Sequence, residues 1–247
     1  VFLSESEENV YFIFNHIIFA ISVPLHGIAL ICLLKETPPF QAGIRRYLLL
    51  IQGLQIALDC YLSLLLQPVL LFPAFAAYCI GPLCHPSLHL PMNVLLSVIW
   101  FLITGLCAAA LICCFYRHQA ILPATSRLKL PKRFVPIISS VIFVYFPIAS
   151  QTYLLAPYDR ITTDILLDSN KNQLGWIRQR GSYVFMENNV ILQFVMCLAL
   201  FSVFSGVTMF IALFSHIFYV LRTETSKSPA VVQKIRRSVY KMFAQVS

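Results

Sequence analysis

Residues 92–116 read MNVLLSVIWFLITGLCAAALICCFY, a run without a charged side chain, and residues 117–133 continue as RHQAILPATSRLKLPKR. At about 1.5 Å per residue, a helix over the apolar run is long enough to cross the roughly 30 Å hydrocarbon layer of a bilayer. We expect this helix to break at Arg117-His118-Gln119, where a basic loop begins. Because Lys and Arg are retained on the cytoplasmic face, the pattern predicts a transmembrane helix that ends in the cytosol.

The composition of the whole chain agrees with this interpretation. Hydrophobic residues make up 59% of the chain, charged residues 11%, and the mean hydropathy is +0.78. Soluble domains are about 45–50% apolar and about 25% charged, so we expect an integral membrane protein in contact with lipid. The formal charge of +8 lies mostly in short loops between apolar runs. It therefore indicates membrane topology, and we expect no nucleic-acid partner.

The apolar runs predict a single transmembrane domain over residues 1–247, built only from helices. The chain begins at Val1 rather than Met and ends as a further helix starts, so we expect a fragment of a longer bundle. The predicted spans lie at about 11–34, 47–72, 90–116, 134–157 and 188–221, and a sixth begins at about 238.

The distribution of charge predicts the orientation of these spans. The loops after the first, third and fifth spans carry 14 of the 18 Lys and Arg residues and two acids. The N-terminal tail and the other two loops carry the remaining four cations and seven acids. We therefore expect the N-terminus outside the cell and the odd-numbered spans to end in the cytosol.

Cysteine and histidine spacing does not predict a metal site or a cofactor. The chain has eight cysteines, most of them inside apolar runs, where a reduced and packed thiol is expected. Cys79 and Cys84 fall in a predicted exterior loop, and their spacing permits a local disulfide. His85 and His89 are separated by Pro86 and have no carboxylate nearby, so they do not suggest a metal centre. Enzyme motifs such as G-x-S-x-G, H-E-x-x-H, the P-loop and G-x-G-x-x-G are absent, and we expect no catalytic activity.

Two of the apolar helices carry polar stripes. On the third span one stripe falls within about 80° at 100° per residue, and on the second span another falls within about 120°. The first comprises His89, Asn93, Ser97, Trp100, Thr104 and Cys107, and the second Gln52, Gln55, Asp59, Ser63 and Gln67. Both should face the interior of the bundle, because lipid offers no hydrogen-bond partner. They either fix helix packing, or their outer members line a ligand cavity. Those outer members are Gln67, His89, Asn93, Ser97 and Trp100.

Asp59 is the only carboxylate deep within an apolar run, and we expect it to act as a buried polar switch. Such a group costs on the order of 2.5–3.5 kcal/mol to insert, so it usually has a partner or a function. Protonation, a hydrogen bond to Gln55 or to the third span, or a bound cation would each satisfy it. The alternative is a polar group that only supports packing.

Arg117 lies where the third span is expected to meet the cytosol. It is either a snorkelling anchor that sets topology or a contact for a cytoplasmic partner. His118 reads as an interfacial residue. The basic cluster near the C-terminus, Lys234, Arg236, Arg237 and Lys241, allows the same two interpretations.

Several short motifs make the chain resemble a known family. They are Pro24-Leu-His26-Gly27, Thr37-Pro38, then Asp59, Pro68, Pro73 and Gly81, and finally Tyr116-Arg117-His118-Gln119-Ala120-Ile121. In their order and spacing the chain resembles nematode serpentine chemoreceptors of the Str superfamily. The last motif favours class I (Sri) over class H (Srh), which is the near alternative.

The resemblance implies a seven-helix G-protein-coupled receptor, here truncated to five spans and the start of the sixth. It implies a plasma-membrane protein of sensory neuron cilia that binds a small environmental ligand and a heterotrimeric G protein. The residues expected to face the G protein are Arg117, His118, Arg236 and Arg237. The chain departs from the usual receptor pattern in two places. No acid precedes Arg117, and the loop 158–187 has no cysteine to tether it to the third span.

The alternative to a receptor is a multi-pass transporter or a ligand-gated channel subunit. The sequence shows no inverted repeat and no paired broken helices, which transporters of known design commonly have. Insect-type odorant channels keep the N-terminus inside the cell, so the location of residues 1–10 discriminates between these classes.

Overall fold

Long apolar helices form the body of the molecule. The computed structural model describes residues 5–35, 42–71, 76–88, 90–123, 126–151, 154, 160–169, 175–179, 182–185 and 190–223. The helices are α1 Glu5–Lys35, α2 Ala42–Cys60, α3 Met92–Ile121, α4 Phe134–Ser150, α5 Arg160–Ser169 and α6 Val190–Thr223. The sequence thus predicts the helical fold class correctly.

Helix α3 is the central element and packs against α2, α4 and α6, whereas α1 packs against α2. Its buried face includes Gly105, Ala108 and Ala109, whose small side chains allow neighbouring helices to approach closely. Further along α3, Leu111 packs in a buried cluster with Phe146 of α4. These contacts place the uncharged run 92–116 at the core of the bundle.

Within the described residues, four helical stretches are long and apolar enough to cross a membrane. They are Ser6–Lys35, Gly43–Leu66, Met92–Ile121 and Gln193–Val220, and Phe134–Ile148 is a shorter apolar helix. The protein is therefore a multi-pass helical membrane protein.

Helix α3 does not break at Arg117-His118-Gln119, the position predicted from the sequence. It continues through Arg117 to Ile121, and Leu122 is the first residue with extended backbone angles, φ −61° and ψ 134°. Pro123 follows, and proline disfavours helical geometry in the residue before it. The three polar residues 117–119 are therefore helical, and proline rather than charge ends the helix.

The second span also ends differently from the expectation of about residue 72. After Cys60 the helix widens into a π-helical segment, Tyr61–Leu66, and Gln67 then adopts the left-handed conformation with φ 48°. Residues 68–71 form a β-strand. A short apolar run fits either a helix or a buried strand, so the pattern could not separate the two.

Other helix ends differ from the predicted spans as well. Helix α1 begins at Glu5, so the acidic stretch expected as a tail is helical from that residue onward. Helix α4 ends at Ser150 rather than near residue 157, and α6 runs two residues further than expected, to Thr223.

A small antiparallel sheet covers one end of the bundle. Its strands are β1 Pro68–Leu71, β2 Ala76–Cys79 and β3 Ser182–Phe185, in the order β1-β2-β3. Pro68 pairs with Cys79 across β1 and β2, and Ala76 pairs with Phe185 across β2 and β3. Cys79 and Cys84 form a disulfide with a Cα–Cα distance of 5.9 Å, the local bridge that their spacing permits.

We call this the capped end, and the opposite end of the helices the basic end. Phe12 of α1 packs in the capped end beside the sheet, so Lys35 lies at the other end of the same helix. The exposed cations at the basic end are Lys35, Arg46, Arg127, Lys132, Arg133 and Arg222. Among the described residues no Asp or Glu accompanies them.

Candidate functional site

Polar side chains of α1 and α2 meet along the contact between these two helices, which we call the polar seam. Its members are Asn15, His16 and His26 of α1 and Gln52, Asp59, Ser63 and Gln67 of the second span and its C-terminal cap. The second-span stripe predicted from the sequence therefore faces α1 over much of its length.

The centre of the polar seam is a three-residue network around Asp59. His26 Nε2 lies 2.9 Å from Asp59 Oδ2, and His26 Nδ1 lies 2.6 Å from Gln52 Nε2. The Gln52 amide nitrogen can only donate, so His26 Nδ1 accepts and its Nε2–H donates to the carboxylate. The expected partners of Asp59, Gln55 and the third span, are thus replaced by His26 of the first span.

The outer part of the polar seam is held by weaker contacts. Ser63 Oγ donates to Asn15 Oδ1 at 3.4 Å, and Gln67 Nε2 donates to His16 Nε2 at 3.4 Å. Gln67 Nε2 also donates to the Ser63 carbonyl at 3.1 Å, which holds the side chain back over the end of its own helix. The left-handed backbone of Gln67 is uncommon for a residue other than glycine and marks a constrained position.

The sequence also contains a signal for the α1 side of this contact. Asn15, Ser22 and His26 fall within about 40° of one another at 100° per residue. Matching such a stripe on α1 with the stripe on α2 would have added His26 to the candidate partners of Asp59, without selecting it among them.

The residues predicted on α3 occupy several environments. Ser97 is buried, donates to the Val94 carbonyl at 2.7 Å, and its own carbonyl accepts from Gln151 Nε2 at 3.3 Å. Asn93 Oδ1 accepts from the Val94 backbone at 2.9 Å. Trp100 is 40% exposed. His89 lies outside the described residues, so its position relative to the other predicted ligand contacts is not described.

An exposed charged cluster lies on the capped end. Arg178 donates to Asp168 at 2.9 Å and to the Asp164 carbonyl at 2.8 Å, and Tyr183 donates to the Asp164 carboxylate. The hydrogen bond to Asp168 raises the pKa of the Arg178 guanidinium. These contacts join α5 to the sheet, and they read as a structural link of the cap.

At the basic end, Arg117, His118 and Gln119 are buried, each about 7% exposed. Arg117 lies beside Cys113, one turn earlier on α3. His118 Nε2 lies 2.9 Å from His216 Nδ1 of α6. His118 is therefore a contact between helices rather than an interfacial residue, and Arg117 is not extended toward the membrane surface. Arg236 and Arg237 lie outside the described residues.

Nothing in the described part of the chain gathers three or more His, Cys, Asp or Glu side chains in a way that could hold a metal ion. The two polar centres, the polar seam and the His118–His216 contact, can instead donate and accept hydrogen bonds and exchange protons. Such chemistry suits recognition and conformational change.

The bundle, the capped end and the basic end define a class, a multi-pass helical membrane protein. A family model described as serpentine type 7TM GPCR chemoreceptor Srh matches residues 6–247, nearly the whole chain. The chain therefore belongs to the Srh family of serpentine chemoreceptors. No curated protein and no solved structure matches it. The superfamily recognised in the sequence is thus confirmed. The preference for class I is not, since the match is to class H, the alternative.

Proposed function

We propose that this chemoreceptor binds a small environmental molecule at the capped end and signals from the basic end to a heterotrimeric G protein. The observation that carries the proposal is the separation of charge between the two ends of one helical bundle. Exposed cations without a described carboxylate mark the basic end, and the acids Glu7, Glu8, Asp164 and Asp168 lie at the capped end. Because cations are retained inside the cell, the basic end faces the cytosol and the N-terminus is extracellular.

The proposed ligand contacts are the outer members of the two stripes, Gln67, Asn93, Ser97 and Trp100, together with His89. Gln67 closes the outer end of the polar seam, and Trp100 offers a partly exposed aromatic face. Asn93 and Ser97 already bond to their own helix backbone, so a ligand would compete with those bonds. A small molecule with one or two hydrogen-bonding groups and an apolar body fits this chemistry.

Asp59 is the proposed switch, acting through its bond to His26. The pair joins α1 to α2. A ligand that displaces α1 from α2 would change the free energy of that contact. A ligand can shift a conformational equilibrium only if it interacts differently with the two states. Displacement of α1 would provide that difference.

The proposed contacts for the G protein are Arg117, His118, Arg236 and Arg237. Both described residues are buried, so a partner would reach them only after the basic end opens. The proposal therefore includes a conformational change at the basic end before the G protein is fully engaged.

The test is a signalling assay on the complete open reading frame, expressed at the plasma membrane of cells that carry a G-protein reporter. Small volatile and water-soluble molecules are screened for a response that requires the G protein. For any active molecule, Ser97→Ala and Gln67→Ala should raise the half-maximal concentration, whereas Ser22→Ala should not. Among the described residues, the Ser22 hydroxyl donates to the Phe19 carbonyl of its own helix.

An ion current that persists when the G protein is inactivated would contradict the proposal and favour a channel subunit. The natural site of action proposed for the receptor is the ciliary membrane of sensory neurons. A tagged receptor that remained in internal membranes of such neurons would contradict this part.

A further inference from the structure

A chain of hydrogen bonds at the basic end connects the loop after α3 with α6. Leu130 N donates to Gln119 Oε1 at 3.0 Å, and Gln119 Nε2 donates to the Leu128 carbonyl at 3.2 Å. Gln119 Nε2 also lies 3.4 Å from His118 Nδ1, and His118 Nε2 lies 2.9 Å from His216 Nδ1. The loop backbone thus reaches a different helix through two side chains of α3.

The backbone groups of the loop fix the direction of every bond in this chain. Leu130 N can only donate and the Leu128 carbonyl can only accept, so the orientation of the Gln119 amide is determined. Its NH₂ group then faces His118 Nδ1, which must accept. The proton of a neutral His118 is therefore on Nε2, from where it donates to His216 Nδ1.

The loop itself is held to α3 by one cation. Lys129 Nζ donates to the carbonyl of Gln119, in the last turn of the helix, and to that of Leu122, which follows the helix. A cation at this position also stabilises the negative end of the helix dipole. Gln119 and His118 are buried, so water cannot readily replace the bonds if the loop departs.

We propose that Gln119 and His118 form a latch that couples the loop Ser126–Leu130 to the packing of α6 against α3. When Lys129 is drawn away, the Leu128 and Leu130 contacts are lost and the Gln119 amide is free to turn. His118 then has no fixed tautomer, and its bond to His216 weakens. By thermodynamic reciprocity, a ligand that shifts α6 also loosens the loop.

The latch rests on the proposed function for the identity of its partner. Three exposed cations lie close to Lys129 in the chain, at Arg127, Lys132 and Arg133. The complementary partner is a protein surface rich in carboxylates, which would be steered toward this loop and could take Lys129 from the helix carbonyls.

The first experiment reads the protons directly, using ¹⁵N-histidine NMR of the full chain in lipid nanodiscs. In the unsubstituted protein His118 should carry its proton on Nε2, and His216 should accept at Nδ1. A His118 proton found on Nδ1 would overturn the latch without any variant.

Gln119→Glu replaces the amide nitrogen with an acceptor at nearly constant shape, so His118 Nδ1 should become protonated. Gln179→Glu, the same change on the exposed surface of the capped end, should leave His118 unchanged.

The second experiment measures coupling by a double-mutant cycle in thermal stability. Gln119→Ala and His216→Ala should each lower Tm, and the double variant should lose less than the sum of the two shifts. Additive shifts would overturn the latch. Lys129→Met leaves both histidines in place and should shift the His118 and His216 signals by freeing the loop. An unchanged spectrum would also overturn the proposal. Since neither experiment contains ligand or G protein, their outcome is separate from the success of the signalling assay.

Discussion

His26 Nε2 of the first helix lies 2.9 Å from Asp59 Oδ2 of the second, and Gln52 holds the other ring nitrogen of His26. This contact gives a hydrogen-bond partner to Asp59, the carboxylate that lies deep within the apolar run of the second span. The side chain of His26 is 19% exposed and that of Asp59 is 38% exposed, so the bond is partly shielded. It is one of the contacts that hold α1 against α2.

We predict that His26 and Asp59 are energetically coupled. Interhelical hydrogen bonds in membranes average about 0.6 kcal/mol and reach about 1.7 kcal/mol, and a bond to a carboxylate should lie in the upper part of that range. A double-mutant cycle with His26→Leu and Asp59→Asn, followed by thermal unfolding in nanodiscs, measures this energy. Ser22→Ala on the same helix should show no coupling to Asp59→Asn. A coupling energy of zero between positions 26 and 59 would show that the bond does not contribute to stability.

The identity of this pair shows what the sequence could predict. Asp59 stands out because carboxylates are rare in apolar runs, and a partner was expected for it. The partner could not be selected, since Gln55, α3 and His26 were all reachable until the packing of α1 on α2 was known. The same limit applies to His118 and His216, which lie 98 residues apart in the sequence.

The disulfide is predicted to support the capped end. Closing a short loop of sequence separation 5 should stabilise the fold by about 2 kcal/mol, through loss of chain entropy in the unfolded state. The double variant Cys79→Ala, Cys84→Ala should unfold at a lower temperature than the unsubstituted protein. Addition of reductant should lower the Tm of the unsubstituted protein but not that of the double variant. Cys197→Ala, which removes an exposed free thiol, serves as the control, and a similar Tm loss there would contradict the assignment.

Gly81 is predicted to be intolerant of any side chain. A Cβ at this position would collide with the backbone of Leu65, and Gly81 N donates to the Leu66 carbonyl at 3.0 Å. Because backbone cannot move aside cheaply, Gly81→Ala should cost about 1–3 kcal/mol of stability. Gly53→Ala in α2, where a Cβ meets nothing within 4 Å, should instead stabilise the helix by about 0.5–1 kcal/mol. Thermal unfolding of both variants tests the pair, and equal effects would contradict the packing at the capped end.

The small sheet explains why the sequence pointed to Gly81 as a motif residue but gave no structural reason for a glycine there. Its close contact depends on the π-helical turn Tyr61–Leu66 and on β2, and neither element was predicted. Strand β3 lies about a hundred residues from β2 in the chain, so no local pattern indicates that the two pair. The apolar and charged runs predict the helices well, because the length of a span and the cost of charge in lipid are local properties.

Tyr61 is predicted to fasten the π-helical turn to α3. Its hydroxyl is buried and donates to the Leu95 carbonyl at 2.9 Å. Tyr61→Phe should therefore lower stability by about 0.5–1.5 kcal/mol, the usual net value of one hydrogen bond. Tyr145→Phe, at a position that is 50% exposed, should change Tm very little. A Tyr61→Phe protein as stable as the Tyr145→Phe protein would indicate that the hydroxyl is not bonded in solution.

The receptor assignment is tested most directly by determining on which side of the membrane each end of the bundle lies. Ser87→Cys at the capped end and Lys132→Cys at the basic end are both exposed positions. Each is expressed in the complete receptor with its free cysteines replaced, and intact cells are treated with a membrane-impermeant thiol reagent. We expect Ser87→Cys to be labelled at once and Lys132→Cys only after the cells are permeabilised. Labelling of Lys132→Cys in intact cells, with Ser87→Cys protected, would place the basic end outside and contradict the assignment of the ligand and G-protein faces.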